Sequence, residues 1–131
     1  MASNTSTNKK KILIVDDERT AHQLYKIMVE DDNILFYHAY SGKEALSIAR
    51  EHPDIKLILM DIKMPEMDGY EATREIRTFS QDVPIVAQTA YNLPSDIKKA
   101  KEAGCDEHLA KPVDRSTIMD MIKKYCYNQS G

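Results

Sequence analysis

The run Ile12-Leu13-Ile14-Val15-Asp16-Asp17-Glu18 is apolar for four residues and then acidic for three. Leu57-Ile58-Leu59-Met60-Asp61 repeats the arrangement, four apolar residues closed by an aspartate. A strand with one wet face would alternate, so an unbroken apolar run marks a strand covered by helices on both faces, the habit of parallel sheets. Working outward from these two, Ile34-Leu35-Phe36-Tyr37-His38-Ala39-Tyr40 mixes in polar residues and is expected nearer an edge. Val83-Pro84-Ile85-Val86-Ala87 carries its proline near the start, where a missing N–H is tolerated, and a weak fifth segment lies near His108. These segments recur every 22 to 26 residues, enough for one strand plus one helix each time. The L-x-x-L-x-L signature of a leucine-rich solenoid is absent.

Between the apolar segments the period becomes helical. Ala21, Leu24, Tyr25 and Met28 form one stripe, Ala45, Leu46 and Ala49 another, and Ile118, Met121, Ile122 and Tyr125 a last one. Ser41-Gly42-Lys43-Glu44 and Asp68-Gly69-Tyr70-Glu71 read as helix-start caps, Asp114 caps the last helix, and Gly104 fits a left-handed terminator after Ile97 to Ala103. The fold class expected is α/β, five strands alternating with five helices in a doubly wound parallel sheet. Residues 1–10 and 128–131 are polar and unpatterned and read as tails, leaving 11–127 as one folded unit.

The chain has 131 residues, the size of a single domain, and its 42% hydrophobic content supplies a packed core. A net charge of −3 lacks the basic field that nucleic-acid backbones require. No stretch approaches a membrane span or a secretory leader, so a soluble, cytoplasmic protein without membrane contact is expected. Cys105 and Cys126 are too few for a disulfide framework and read as ordinary buried thiols.

In a sheet of this kind the crevice lies beyond the carboxyl ends of the strands. The residues that follow the runs are Asp16-Asp17-Glu18, Asp61, Gln88-Thr89-Ala90 and Lys111-Pro112. Asp16, Asp17 and Asp61 crowded together would repel one another and raise at least one pKa unless a cation sits among them. Mg2+ suits a site with few protein ligands and a phosphoryl group to come, whereas the Cys and His ligands of zinc are missing here. With the ion on Asp16 and Asp17, Asp61 is left to attack a phosphorus, and Lys111 and Thr89 could neutralise the phosphoryl oxygens. Any one aspartate alone would read as a turn or a helix cap. The joint set, each member directly after its own strand, carries the argument.

The motifs Ile14-Val15-Asp16-Asp17-Glu18, Met60-Asp61-Ile62-Lys63-Met64-Pro65-Glu66-Met67-Asp68-Gly69, Gln88-Thr89-Ala90 and Leu109-Ala110-Lys111-Pro112 resemble the receiver domain of two-component response regulators, the family of the chemotaxis regulator, across residues 11–127. The resemblance implies a flavodoxin-like sheet of strand order 2-1-3-4-5 and a phosphoacceptor switch in a phosphorelay. Asp61 would take a phosphoryl group from a phosphohistidine. Asp17 would bind Mg2+ directly, Asp16 partly through water, with Asp61 and the Lys63 backbone carbonyl completing the ligands. Thr89 would contact the phosphoryl group and swing inward, Lys111 would pair with it, and the Lys111-Pro112 peptide would be cis. Gly69 would close the loop after the phosphoacceptor. One departure stands out: three residues before the lysine, where the family usually carries a switching Tyr or Phe, this chain has His108. His22, His38 and His52 join no metal or catalytic pattern and read as structural or exposed.

The implied partners are a histidine kinase or histidine phosphotransfer protein, and a downstream partner met through the fourth helix, fifth strand and fifth helix. Lys98, Lys99 and Lys101 on the fourth helix read as a solvated face, on the side where members of this family often meet partners, and the chain is expected as a monomer or weak dimer. Met64, Met67, Met119 and Met121 are expected to pack and not to bind a soft metal. The resemblance describes no enzyme beyond acceptance and loss of the chain's own phosphoryl group, standing alone or as the receiver of a hybrid histidine kinase. Two alternatives remain: a Mg2+-dependent aspartyl-phosphate phosphatase, disfavoured because Lys63 stands where such enzymes usually carry a second acid, and a degenerate receiver acting only through protein contacts. Nucleotide binding lacks its glycine-rich motifs.

Overall fold

Five parallel strands form the sheet in a computed structural model that describes residues 9–90 and 93–127. They are β1 (Lys10–Val15), β2 (Ile34–Ala39), β3 (Ile55–Asp61), β4 (Ile85–Thr89) and β5 (Glu107–Ala110), in the order β2-β1-β3-β4-β5. Helices α1 (Arg19–Met28), α2 (Gly42–Glu51), α3 (Gly69–Arg77), α4 (Pro94–Ala103) and α5 (Arg115–Ile122) alternate with them, and α5 runs on into a π-helical turn, Lys123–Tyr127. The doubly wound sheet expected from the two apolar runs is therefore present, with β1 and β3 at its centre.

The two-residue period of a strand explains why those runs are apolar throughout. Ile12, Ile14, Leu57, Leu59 and Val86 point to one face, where they meet Tyr25 and Val29 of the α1 segment and Ile118 and Ile122 of α5. Leu13, Val15, Ile58, Met60, Ile85 and Ala87 point to the other, against Ala45 and Ala49 of α2, Ala72 and Ile76 of α3 and Ala100 of α4. Small residues on α2, α3 and α4 let those helices sit close to the sheet.

The helix starts behave as their sequences dictate. Ser41 accepts from the Glu44 N–H at 3.1 Å while the Glu44 carboxylate accepts from the Tyr40 N–H at 2.7 Å. Asp68 and Asp114 cap α3 and α5 through the N–H groups of Glu71 and Thr117. Gly104 ends α4 in the left-handed region at φ 111°, the conformation for which glycine is suited.

Among the differences from the sequence reading are two strand starts and the buried face of one helix. β1 begins at Lys10, inside the segment read as a tail, because the Lys10 N–H finds the Asn33 carbonyl at 2.7 Å. β4 begins at Ile85, so Pro84 precedes the strand; its carbonyl still accepts from Ile58 N–H at 2.9 Å. In α1 the buried arc is His22 and Tyr25, continued by Val29 just past its end, and Leu24 is 49% exposed. With 3.6 residues per turn, Ala21 and Met28 flank that arc and Leu24 falls beyond it. The tail readings for 1–8 and 128–131 lie outside the described residues.

Candidate functional site

The carboxyl ends of β1, β3 and β4 and the turn after β5 bring the strand-end residues to one edge. Asp16 leaves β1 with its N–H donating to the Ala39 carbonyl at 3.1 Å, and it is 2% exposed. Asp61 is the last residue of β3 and 4% exposed. Asp17, one residue past Asp16, is open to solvent. Carboxylate oxygens of Asp16, Asp17 and Asp61 lie within 4.8 Å of one another. Lys111 is fixed by its own N–H, which donates to the Thr89 carbonyl at 2.7 Å, and its ammonium reaches Asp61 Oδ1 at 3.0 Å and Asp16 Oδ2 at 3.2 Å. The bond between Lys111 and Pro112 is cis. Thr89 ends β4, buried, one residue beyond Gln88, which stands opposite Asp61 in the β3–β4 register.

Charge is badly balanced here: three carboxylates face one ammonium. Burial works to raise the Asp61 pKa and Asp16 adds repulsion, and the opposing Lys111 contact and Lys63 backbone hydrogen bond do not cancel them, so the Asp61 carboxyl stays above the usual aspartate value. Burial favours the neutral amine of Lys111, yet Asp61 and then Asp16 overrule it and hold the lysine above its ordinary value. A second cation would relieve this imbalance. All the offered donors are hard oxygens, and Asp17 leaves one side open to water, which fits Mg2+ and its preference for retained waters.

Beside the site a groove of about 460 Å³ runs along α1, walled by Ala21, Leu24, Met28, Pro112 and Val113 and ending at Asp16 and Lys111. At its base the Tyr25 hydroxyl donates to the Gln88 side-chain carbonyl. His108 lies half-buried on β5 beside Ile97 and Cys105, opposite Ala87 of β4.

The match to known proteins agrees with this geometry. The family model of the response regulator receiver domain matches residues 12–123. The chain belongs to that family. This receiver is 34% identical over 119 residues to the polar-differentiation response regulator DivK of Brucella ovis, covering 88% of this chain and 95% of that protein. It resembles the solved two-component response regulator of Clostridium difficile (27% identity, TM-score 0.85, 94% of this chain and 100% of that one). It also resembles the receiver domain of Saccharomyces cerevisiae Ssk1, solved in complex with the histidine phosphotransfer protein Ypd1 (31% identity, TM-score 0.82, 90% and 89% covered). The receiver is thus a signalling module of two-component systems and not a catalytic enzyme, which sets the phosphatase alternative aside.

The sequence did not point to one partly buried contact of the receiver. His22 and His38, sixteen positions apart, meet with their Nδ1 atoms 2.8 Å apart, and His22 Nε2 lies 2.8 Å from the Asp16 backbone carbonyl. A histidine at the buried arc of an amphipathic helix was the available signal, since a buried imidazole calls for partners on both nitrogens.

Proposed function

We propose that the receiver is a phosphoacceptor switch in which Asp61 takes a phosphoryl group from a phosphohistidine on a histidine kinase or phosphotransfer protein. The observation that carries this reading is the approach of Asp16, Asp17, Asp61 and Lys111 at one edge of the sheet from three separate strand ends. Asp16, Asp17 and Asp61, with the Lys63 backbone carbonyl, are the groups that would hold Mg2+. When bound, the ion supplies charge neutralisation for the phosphoryl oxygens and a template for in-line approach.

The chain's own residues do the rest. An Asp61 carboxylate oxygen forms the new O–P bond as the P–N bond to the donor imidazole breaks, and that imidazole leaves with the bonding pair and takes a proton from solvent. Lys111, poised 3.0 Å from Asp61 Oδ1, transfers its contact to a phosphoryl oxygen. Thr89, at the end of the neighbouring strand, donates its hydroxyl to another. Modification replaces a single negative charge by close to two, in line with about −1.5 to −2 for phosphorylated side chains generally. The new acceptor draws Thr89 inward and biases β5 and the flanking α4 and α5, with His108 in the position that moves.

The apolar groove along α1 opens onto Asp61's neighbours, and Leu24 and Ile27 stand exposed at 49% and 70%. That surface is offered to an apolar face of a phosphotransfer partner, a class of protein with which the receiver of Ssk1, which this chain resembles, was solved in complex. The face of α4, β5 and α5, with Lys98, Lys99 and Lys101 exposed, is left for a downstream partner. Among the described residues no helix is long and apolar enough to cross a membrane.

Incubation with acetyl phosphate and Mg2+, followed by intact-mass analysis, tests the reading. The wild-type chain gains one phosphoryl group that is lost on treatment with hydroxylamine, and Asp61→Asn gains none. Equal labelling of Asp61→Asn, or labelling that survives removal of Mg2+, would overturn it.

A further inference from the structure

Asp16 is held at every polar atom of its backbone. Its N–H donates to the carbonyl of Ala39, and its carbonyl faces His22 Nε2 at 2.8 Å. Its side-chain Oδ1 accepts from the Glu18 N–H at 2.9 Å. The carbonyl belongs to the Asp16–Asp17 peptide, so whatever fixes that oxygen fixes the direction in which Asp17 leaves the strand.

His22 is 2% exposed, on the arc of α1 where the helical pattern calls for an apolar residue. Its hydrogen bonds follow from elementary chemistry. A carbonyl oxygen only accepts, so Nε2 must carry the proton. In a neutral ring Nδ1 is then bare and must accept, and the group 2.8 Å away is Nδ1 of His38, which therefore carries its own proton there. Burial, and then the nearby His22 and Lys26, hold the His38 pKa below its ordinary 6.5, in keeping with a neutral ring. The result is a directed relay: His38 Nδ1–H to His22 Nδ1, and His22 Nε2–H to the Asp16 carbonyl. Tyr40 packs on the His22 ring with centroids 4.3 Å apart, and the Arg19 guanidinium lies 4.8 Å from the Tyr40 ring on the solvent side. A leucine at position 22 would meet the packing need alone. An imidazole with both nitrogens committed, one of them to the turn that carries the acidic residues, points to a further role.

We propose that His22 is a positioning residue for the acidic cluster: its Nε2–H, set in that tautomer by His38, clamps the Asp16–Asp17 peptide and preorganises both carboxylates for a divalent cation. The role rests on the reading of Asp16 and Asp17 as Mg2+ ligands given above. Partners that orient ligand-bearing groups from one layer further out typically change metal affinity by about 10–100-fold when removed.

The test compares Mg2+ dissociation constants, by calorimetric titration of the full chain, for wild type, His22→Leu, His22→Gln and His22→Asn. Glutamine places its amide nitrogen where Nε2 lies, and asparagine where Nδ1 lies. Weakening of about tenfold or more in His22→Leu and His22→Asn, with most of the affinity restored in His22→Gln, supports the role. Wild-type affinity in His22→Leu, or equal weakening in all three variants, overturns it, because packing alone would not tell glutamine from asparagine. Imidazole 15N spectra of the wild-type chain give an answer that needs no variant to fold. Nε2–H on His22 with Nδ1–H on His38, and a His22 signal that moves as Mg2+ is added, support the relay. The opposite tautomers overturn it. A wild-type chain that binds no Mg2+ at all removes the metal reading itself, an outcome distinct from intact binding that ignores His22.

Discussion

Replacing Gly69 with alanine sets two effects of opposite sign against each other. Gly69 is the first residue of α3, and its N–H donates to the Ile62 carbonyl at 2.8 Å. Considered as a helical residue alone, glycine to alanine should stabilise by about 0.5–1 kcal/mol through lost unfolded-state entropy. The surroundings reverse the sign. A Cβ at this position would lie 2.4 Å from the Asp61 carbonyl oxygen and 2.7 Å from Ile62 Cα, whereas ordinary contact begins near 3.4 Å. Backbone must therefore move by roughly 1 Å, and what moves is the peptide that follows Asp61. Overpacking costs about 1–3 kcal/mol, and rigid backbone on the far side places this case near the upper end. The net expectation is a loss of about 2 kcal/mol, or roughly 8 °C in thermal midpoint for a domain of this size. Gly42→Ala is the control. Its Cβ would meet Met67 Sδ at 2.7 Å, but a thioether side chain can swing aside, so the change should stay within about 1 kcal/mol. Thermal melts of the three chains without Mg2+ decide the matter. A Gly69→Ala chain that melts at or above the wild-type midpoint would refute the steric reasoning.

Mg2+ at about 100 times its dissociation constant should add about 2.7 kcal/mol of stability to the wild-type chain, and removal by chelation should reverse it. In Asp17→Ala, where an exposed carboxylate is lost, the apo midpoint should hardly change while the Mg2+ increment largely disappears; an increment of wild-type size would count against Asp17 as a ligand. Burial works against ionisation of Glu107, yet its hydrogen bonds from Lys124 at 2.6 Å and from the Tyr125 hydroxyl overrule it and hold the carboxyl below its ordinary 4.5. A depressed carboxyl contributes its stability above pH 4.5 and loses it as the pH falls through the lower folded value, so Tyr125→Phe should be destabilised at pH 7 by an amount that shrinks on acidification. A deficit that does not depend on pH would contradict this. Cys126 is fully buried, and that burial pushes its thiol up to about 11, which leaves about a hundredfold fewer thiolates than an ordinary cysteine at pH 8. Cys105 is raised by burial as well. Neither should react with a disulfide reagent until the chain is unfolded, and rapid modification of the native chain would argue against the packing of α5 and its π-helical turn.

Much of the architecture was readable because it rests on local rules. Unbroken apolar runs at Ile12–Val15 and Leu57–Met60 could be dry on both faces only at the centre of a parallel sheet. Ser41, Asp68, Asp114 and Gly104 each announce a helix end through their own backbone chemistry. The acidic edge was readable for a related reason, since strand ends deliver their next residue to the same side of the sheet. What escaped depends on neighbours that the chain order does not name. Leu24 looked like core because its apolar character fits the period, but with 3.6 residues per turn His22, Tyr25 and Val29 take the buried arc and Leu24 falls outside it. His22 and His38 meet only because β2 lies beside β1 beneath α1, and no spacing in the sequence encodes that contact. The Tyr25 hydrogen bond to Gln88 spans 63 positions and likewise exists only in the folded chain.

The most direct measurement is a crystal structure of the chain with Mg2+ and beryllium fluoride, the analogue of an aspartyl phosphoryl group. The account predicts beryllium bonded to an Asp61 carboxylate oxygen, Mg2+ held by Asp16, Asp17 and Asp61 together with the Lys63 carbonyl, and Lys111 and Thr89 turned onto the fluorides. Beryllium fluoride on another residue, or an Asp61 left bare while Asp16 and Asp17 hold no metal, would contradict it.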